Sequence, residues 1–138
     1  MRFLTIYKTE EKGTGPSTDE IARMGQLIEE MTNAGTLLST EGCLPSSKGA
    51  RVRLSNGKLT VTDGPFTESK ELIAGFALIE ASSKEEAIEL TKRFLTVAGD
   101  GESEIRQIYE ADDFGPEFTP ELCEQEELQR ARMAAQQK

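Results

Sequence analysis

The chain has 138 residues, of which 36% are hydrophobic and 30% charged, a composition typical of one soluble domain with a small appendage. Its formal net charge of −9 repels phosphate backbones and anionic headgroups, so neither nucleic acid nor a membrane is expected as a partner. No apolar run approaches the roughly 18 residues of a membrane span, and the first residues lack a signal-peptide pattern. We therefore expect a cytoplasmic protein.

The sequence contains no histidine and two cysteines, Cys43 and Cys123, which lie far apart and form no CxxC pair. The missing imidazole excludes the usual general base near neutral pH and the commonest transition-metal ligand. The cysteine spacing indicates neither a disulfide framework nor a zinc site. We therefore predict no metal site and no cofactor, and catalysis would have to use carboxylate, amine, hydroxyl or thiol groups, or water.

Residues 2–8 mix apolar, aromatic and β-branched side chains, which predicts a first strand partly covered on both faces. Ser17 is a hydroxyl N-cap with a glutamate three residues later, the capping-box spacing that opens a helix. Apolar residues then recur at helical spacing as far as Gly35, where the helix is expected to end. Residues 36–44 form the second predicted strand, which Pro45 terminates because proline donates no ladder hydrogen bond.

The Asn56–Gly57 pair is the sharpest local signal, because this dipeptide favours the two-residue turn of a β-hairpin. The turn fixes the register of the flanking strands, so that one side of the hairpin is apolar and the other shows arginine and threonine. The predicted cross-strand pairs are Ser55–Lys58, Leu54–Leu59, Arg53–Thr60, Val52–Val61 and Arg51–Thr62.

The nearly continuous apolar run Leu72–Glu80 predicts a central strand buried on both faces, with Gly75 permitting a close backbone approach. Ser82 and Ser83 then open a second helix, whose apolar face continues to Ala98. Residues 104–110 form the last predicted strand.

The composition changes after Asp112, where a turn-rich connector leads to Thr119, an N-cap followed by proline. The helix that begins there should reach about Met133. Because its apolar face is thin, it either docks on a neighbouring surface or frays as a solvated tail. We therefore predict a domain of residues 1–112 and an acidic C-terminal connector and helix of residues 113–138.

The order strand, helix, strand, hairpin, strand, helix, strand predicts an α+β fold, a ferredoxin-like split βαβ arrangement with an antiparallel sheet and an inserted hairpin. Helices cover only one face of such a sheet. Since the run 72–80 is apolar on both sides, the second face needs a cover, which the sheet of another subunit would supply. We expect a homodimer, a dimeric α/β-barrel with a cleft between the two sheets.

The motif Asp63-Gly64-Pro65-Phe66 joins the hairpin to the central strand and is continued by Glu68, Lys70, Glu71 and Gly75-Phe76. With Gly-Cys-Leu-Pro-Ser-Ser-Lys-Gly at 42–49 and Glu-Ile-Arg at 104–106, this set resembles the DGPF-containing proteins related to the bacterial YciI family. The resemblance covers nearly all of residues 1–112. It implies a bacterial dimeric α/β-barrel with the motif lining its cleft, often in genetic association with ECF sigma factors, and it implies no established reaction.

One position departs from the pattern of that family. The resemblance implies a histidine paired with the motif aspartate, and longer relatives carry a histidine just before the Pro-Ser-Ser-Lys segment. In this chain that position is Leu44. Asp63 is kept, but no His–Asp dyad can form.

Asp63 is the candidate catalytic residue, and it either caps its own turn or faces the cleft as a base or acceptor. The other motif residues, Gly64, Pro65 and Phe66, have structural roles, with Phe66 pinning the turn from the core. Arg51 could donate two hydrogen bonds to a carboxylate or phosphate, or belong to a solvated face.

Further candidate ligand contacts surround this stretch. Arg53 shares the hairpin side of Arg51, and the loop residues Ser46, Ser47 and Lys48 could hold an anion or be polar for ordinary reasons. Lys70 either pairs in solvent or reaches the cleft, and Tyr7 could donate its hydroxyl there. We predict binding of a small anionic molecule near Asp63, with proton transfer by Asp63 if the protein is an enzyme. The alternative is a regulatory or assembly protein whose C-terminal helix contacts a partner.

Overall fold

Six strands and three α-helices make up the described residues, 1–67 and 72–137, of the computed structural model. They fall into two units, Met1–Gln107 and the residues from Ile108 onward. The strands are β1 (Arg2–Thr9), β2 (Leu37–Gly42), β3 (Ala50–Ser55), β4 (Lys58–Asp63), β5 (Leu72–Glu80) and β6 (Glu102–Gln107), and the helices are α1 (Thr18–Asn33), α2 (Lys84–Ala98) and α3 (Pro120–Gln136), with short 3-10 helices at Ser46–Lys48 and Ala111–Asp113.

Four strands form the main sheet of the first unit in the order β2-β5-β1-β6, and every neighbouring pair is antiparallel. With the hairpin β3–β4 set aside, these are the first to fourth strands of a split βαβ repeat, and α1 and α2 are its two crossover helices. The predicted ferredoxin-like fold is confirmed. The hairpin is a separate two-stranded sheet, and its five predicted cross-strand pairs are all present.

The core lies between the two helices and one face of this sheet. Phe3 on β1 and Ile79 on β5 form a cross-strand pair at its centre and pack with Leu27, Met31 and Ala87. Both helices begin as their capping residues predict. The Ser17 hydroxyl accepts a hydrogen bond from the Glu20 N–H at 3.2 Å, and the Ser83 hydroxyl accepts one from the Glu86 N–H at 3.1 Å. Each bond satisfies a backbone N–H of the first turn that has no acceptor within the helix.

The opposite face of the sheet carries apolar side chains that neither α1 nor α2 covers, and we call it the open face. Its central residues are the cross-strand pairs Leu4–Leu78 and Ile6–Phe76. Phe76 is 37% exposed and Ile73, further along β5, is 54% exposed. In the single chain, α1 and α2 pack against one face of β5 only, as the predicted fold requires. Burial of the second face by another subunit stays a prediction.

A charged cluster lies at the β6 edge of the open face. Glu104 accepts hydrogen bonds from Lys8 at 3.0 Å and from Arg106 at 3.3 Å. These contacts, the Lys8 bond foremost, lower the pKa of Glu104 below its usual value.

Two strand boundaries differ from the sequence prediction. The second strand is shorter than residues 36–44, and the last one ends at Gln107 rather than at residue 110. Gln107 pairs with Phe3, close to the chain start, so β1 offers almost no further partner for residues beyond it. Tyr109 belongs to the second unit instead.

The second unit contains an aromatic stack followed by a helix. The ring centroids of Tyr109 and Phe114 are 4.7 Å apart, as are those of Phe114 and Phe118. The Thr119 hydroxyl caps α3 by accepting from the Leu122 N–H at 3.3 Å, as predicted. No helix in the described part of the chain is long and apolar enough to cross a membrane.

Candidate functional site

The Asp63–Phe66 motif forms a corner that begins at the last residue of β4 and is held against the loop of residues 45–49. The Gly64 N–H donates to the Gly49 carbonyl at 3.0 Å, and the Phe66 N–H donates to the Ser46 hydroxyl at 3.1 Å. A Cβ on Gly64 would lie 1.6 Å from the Ser46 carbonyl oxygen, so only glycine allows this approach. The motif therefore fixes the end of the hairpin to the loop of residues 45–49.

Ser46 also holds a carboxylate from another part of the chain. Its N–H and its hydroxyl donate to the two carboxylate oxygens of Glu11, at 2.5 Å and 3.0 Å. Glu11 follows β1 and lies 35 positions before Ser46 in sequence. The loop therefore binds an anion of the same chain, the Glu11 carboxylate.

Arg51, at the base of the hairpin, lies over the motif phenylalanine. Its guanidinium carbon is 4.0 Å from the centroid of the Phe66 ring, within the range of a cation–π contact. This contact holds the guanidinium beside the motif, where it can donate hydrogen bonds to a carboxylate or phosphate. Phe66 is half-buried rather than in the core as predicted, and the Arg51 guanidinium lies over its ring.

These contacts enclose a concave space of about 480 Å³, which we call the motif cavity. Apolar side chains and two cations, Lys48 and Arg51, share its wall with the Glu11 carboxylate. Its volume lies within the range of roughly 300–1,000 Å³ that small-molecule sites occupy. It is lined by Glu11, Leu44, Pro45, Ser46, Lys48, Gly49, Ala50, Arg51, Phe66, Leu72 and Ile73.

The structure brings three of the predicted ligand contacts, Ser46, Lys48 and Arg51, together at this cavity. Asp63 and Arg53 are exposed residues on the hairpin strands and are not among the residues described as lining it.

Other predicted site residues lie elsewhere. The Gly64 corner packs closely against the backbone of Ser47, whose nitrogen would be 3.2 Å from an added Cβ. A Cβ on Gly75 would lie 2.8 Å from the Glu41 carbonyl oxygen, so β2 and β5 do approach closely there, as expected. Lys70 lies outside the described residues.

Tyr7 does not lie where the sequence predicts it. Its hydroxyl donates to the carbonyls of Gly99 at 3.2 Å and Asp100 at 2.9 Å, beyond the end of α2, and its ring meets Phe94 edge-on at 5.3 Å. Because side chains alternate along a strand, Tyr7 shares the helix-covered face with Phe3. It therefore does not donate into a cleft beside the motif.

Glu11 is the one polar residue of the cavity that sequence reasoning missed. It stands in a run of polar residues after the first strand, with no motif around it. Its position depends on a contact between distant segments, which local spacing does not encode. In the described ranges, 1–67 and 72–137, no group of three or more Cys, Asp or Glu side chains is arranged to hold a metal ion.

The sequence profile of the YCII-related domain matches residues 1–112. The chain belongs to the YCII-related family. A sequence relative, an uncharacterized protein from Rhizobium meliloti (strain 1021), is 39% identical over 59 residues, which are 43% of this chain and 48% of that protein. The chain thus spans about half the length of the curated relative that it matches.

One solved structure that matches is a 5-chloro-2-hydroxyhydroquinone dehydrochlorinase (TftG) from Burkholderia phenoliruptrix AC1100, in complex with 2,5-dihydroxybenzoquinone. The match covers 83% of this YCII-family chain and 100% of that chain, at 15% identity and a TM-score of 0.48. A likeness at that level says nothing about what this chain binds.

Proposed function

We propose that this YCII-family protein binds a small anionic organic molecule in the motif cavity. The observation that carries the proposal is the juxtaposition of two cations, Lys48 and Arg51, with an apolar wall that includes Phe66 and Ile73. A carboxylate or phosphate group would meet the cations, and the organic part of the molecule would displace water from the apolar wall. Glu11 already occupies the Ser46 donors, so the ligand's charge is directed to Lys48 and Arg51.

In the enzymatic form of this proposal, Asp63 moves a proton on the bound molecule, since the chain has no histidine to do so. Asp63 is the last residue of β4 and lies three positions before Phe66 of the cavity wall. The reaction would need neither a metal nor a nucleotide. Without turnover, the same geometry makes the protein a binding module.

A homodimer belongs to the same proposal. The open face, with Ile6 and Phe76 at its centre, has the apolar character of a surface that another subunit covers. Ile73 lies opposite Lys8 at the end of this face and also lines the motif cavity. A second subunit on the open face would therefore reach the rim of the cavity and exclude water from it.

The test is a thermal-shift screen of small carboxylates and phosphates, followed by binding titrations of two matched variants. Arg51→Ala should weaken binding about tenfold or more, because it removes charge-assisted hydrogen bonds. Arg53→Ala removes an arginine from the same side of the same strand but outside the cavity lining, and it should leave the affinity unchanged.

Two results separate the possible outcomes. If no anionic compound shifts the melting temperature, or if both arginine variants bind alike, the cavity proposal is wrong. With a ligand in hand, Asp63→Asn tests the enzymatic form: loss of turnover with binding retained supports proton transfer by Asp63, and no turnover in the parent leaves a binding module.

A second candidate function is regulation or assembly through α3, an association that the family resemblance connects with ECF sigma factor systems. The observation in its favour is that three apolar side chains of this helix, Leu122, Leu128 and Met133, are 47%, 60% and 53% exposed. A helix that presents apolar side chains to solvent can dock into a groove of another protein.

A further inference from the structure

The hairpin of residues 50–63, which we call the arm, is exposed along its whole length. All residues of β3 and β4 are exposed, and the two strands form a sheet of their own. A two-stranded hairpin is marginally stable in water unless one face is covered. Its root is fixed by the bond from the Gly64 N–H to the Gly49 carbonyl. The arm thus carries a surface that the single chain leaves uncovered.

One side of the arm is a continuous apolar patch. The cross-strand pairs Val52–Val61 and Leu54–Leu59 lie side by side. Their side chains are 67–70% exposed. Paired aliphatic residues on one face of a hairpin pack against each other and present one surface. Soluble chains seldom leave such groups in water unless they meet a partner.

The charge of the arm indicates which partner it meets. The arm contains three of the sixteen basic residues and one of the twenty-five acidic ones, Asp63. The remainder of the chain therefore holds thirteen basic and twenty-four acidic residues, a net charge of −11. In a second copy of this chain, the residues outside the arm carry this negative charge and would attract the positively charged arm. The same negative charge would repel a nucleic acid or an anionic membrane.

We propose that the apolar side of the arm packs against a second copy of this chain. In a two-fold dimer the contact is made twice, once by each arm, so its effect on association is doubled. The inference goes beyond the ligand proposal because the patch is on the side of the arm opposite Arg51. A held arm would also fix Arg51, which stands at its root, in place at the motif cavity of its own chain.

The experiment compares Leu59→Lys with Thr60→Lys, neighbouring residues on opposite sides of the arm. Both variants add one positive charge at an exposed site, so they differ only in the side that changes. We expect Leu59→Lys to raise the dimer dissociation constant, measured by sedimentation velocity over a concentration series, by about tenfold or more. Thr60→Lys should sediment like the parent. Val61→Lys and Thr62→Lys repeat the comparison nearer the root.

Hydrogen exchange supplies an independent readout. Amides of residues 50–63 should exchange more slowly in the parent as its concentration rises, and Leu59→Lys should abolish that dependence. Equal sedimentation of the two variants, or exchange in the arm that does not change with concentration, would overturn the inference. Either result is compatible with a protein that dimerises through its open face and binds a ligand. Failure of the arm proposal is therefore distinguishable from failure of the ligand and open-face proposals.

Discussion

Gly64 of the Asp63–Phe66 motif lies too close to a neighbouring backbone segment to be replaced by a larger residue. Its N–H is bonded to Gly49, and the space where a side chain would begin is filled by the carbonyl of Ser46. The obstacle is backbone rather than a flexible side chain, so the loop would have to move as a unit. Because the same loop binds Glu11 and lines the motif cavity, a shift there would disturb the site as well as the fold.

Replacing Gly64 with alanine should therefore lower the free energy of unfolding by about 1–3 kcal/mol, the usual cost of overpacking, and should also weaken ligand binding. Urea denaturation measures the first effect. Gly25→Ala is the matched control, because Gly25 lies within α1 with open space around its Cα. That change should stabilise the protein by up to about 1 kcal/mol through helix propensity. Equal effects of the two substitutions would contradict the steric account of Gly64.

At the same scale, the sequence indicated where the site would lie but not all of its contacts. The residues of the corner and of the loop 45–49 stood out because glycine, proline and serine have strong local preferences. Glu11 did not, since the bond from Ser46 joins segments that only the folded chain brings together. Tyr7 was misplaced because the face on which a strand residue lies depends on which side the helices pack.

Among the elements, those with local chemical signals were predicted best. The Asn56–Gly57 turn fixed the hairpin register pair by pair, and the capping serines fixed both helix starts. The ends of β2 and β6 were missed, since a strand stops where its partner stops. The continuous apolar run of β5 indicated two faces in need of cover, and the second cover, from another subunit, stays a prediction.

The C-terminal helix permits a prediction that separates the two candidate functions. Deleting residues 114–138 should leave ligand affinity within about twofold of the parent, because all described residues of the motif cavity belong to the first unit. The same deletion should abolish recovery of a protein partner if α3 docks on one. Titration of the screened ligand and an affinity pull-down measure the two effects.

A point variant controls for the loss of so many residues. Leu128→Asp places a charge among the exposed apolar side chains of α3 without shortening the chain. It should reproduce the pull-down result of the deletion and leave ligand binding intact. A deletion that removes ligand binding, with the first unit still folded by circular dichroism, would count against the cavity as an independent site.

For the whole molecule, the decisive feature is a sheet whose two crossover helices, α1 and α2, both lie on one face. The strand order, the two crossovers and the apolar character of β5 all followed from the sequence. What the sequence could not show is how much of the open face remains in water in one chain. Phe76 at 37% exposed and Ile73 at 54% exposed give that answer, and they make a second subunit the expected cover.

We therefore expect light scattering at micromolar concentration to give a mass of about twice 15.2 kDa. Phe76→Lys should shift the population to monomer, because it places a charge at the centre of the apolar face. Ile21→Lys is the matched control: Ile21 is 59% exposed on α1, outside the sheet, and its replacement should leave the mass unchanged. A parent of monomer mass under these conditions would exclude the dimer, and with it any role of a second subunit in closing the cavity. If the dimer persists in Phe76→Lys but is lost in Leu59→Lys, the main interface is formed by the arm and not by the open face.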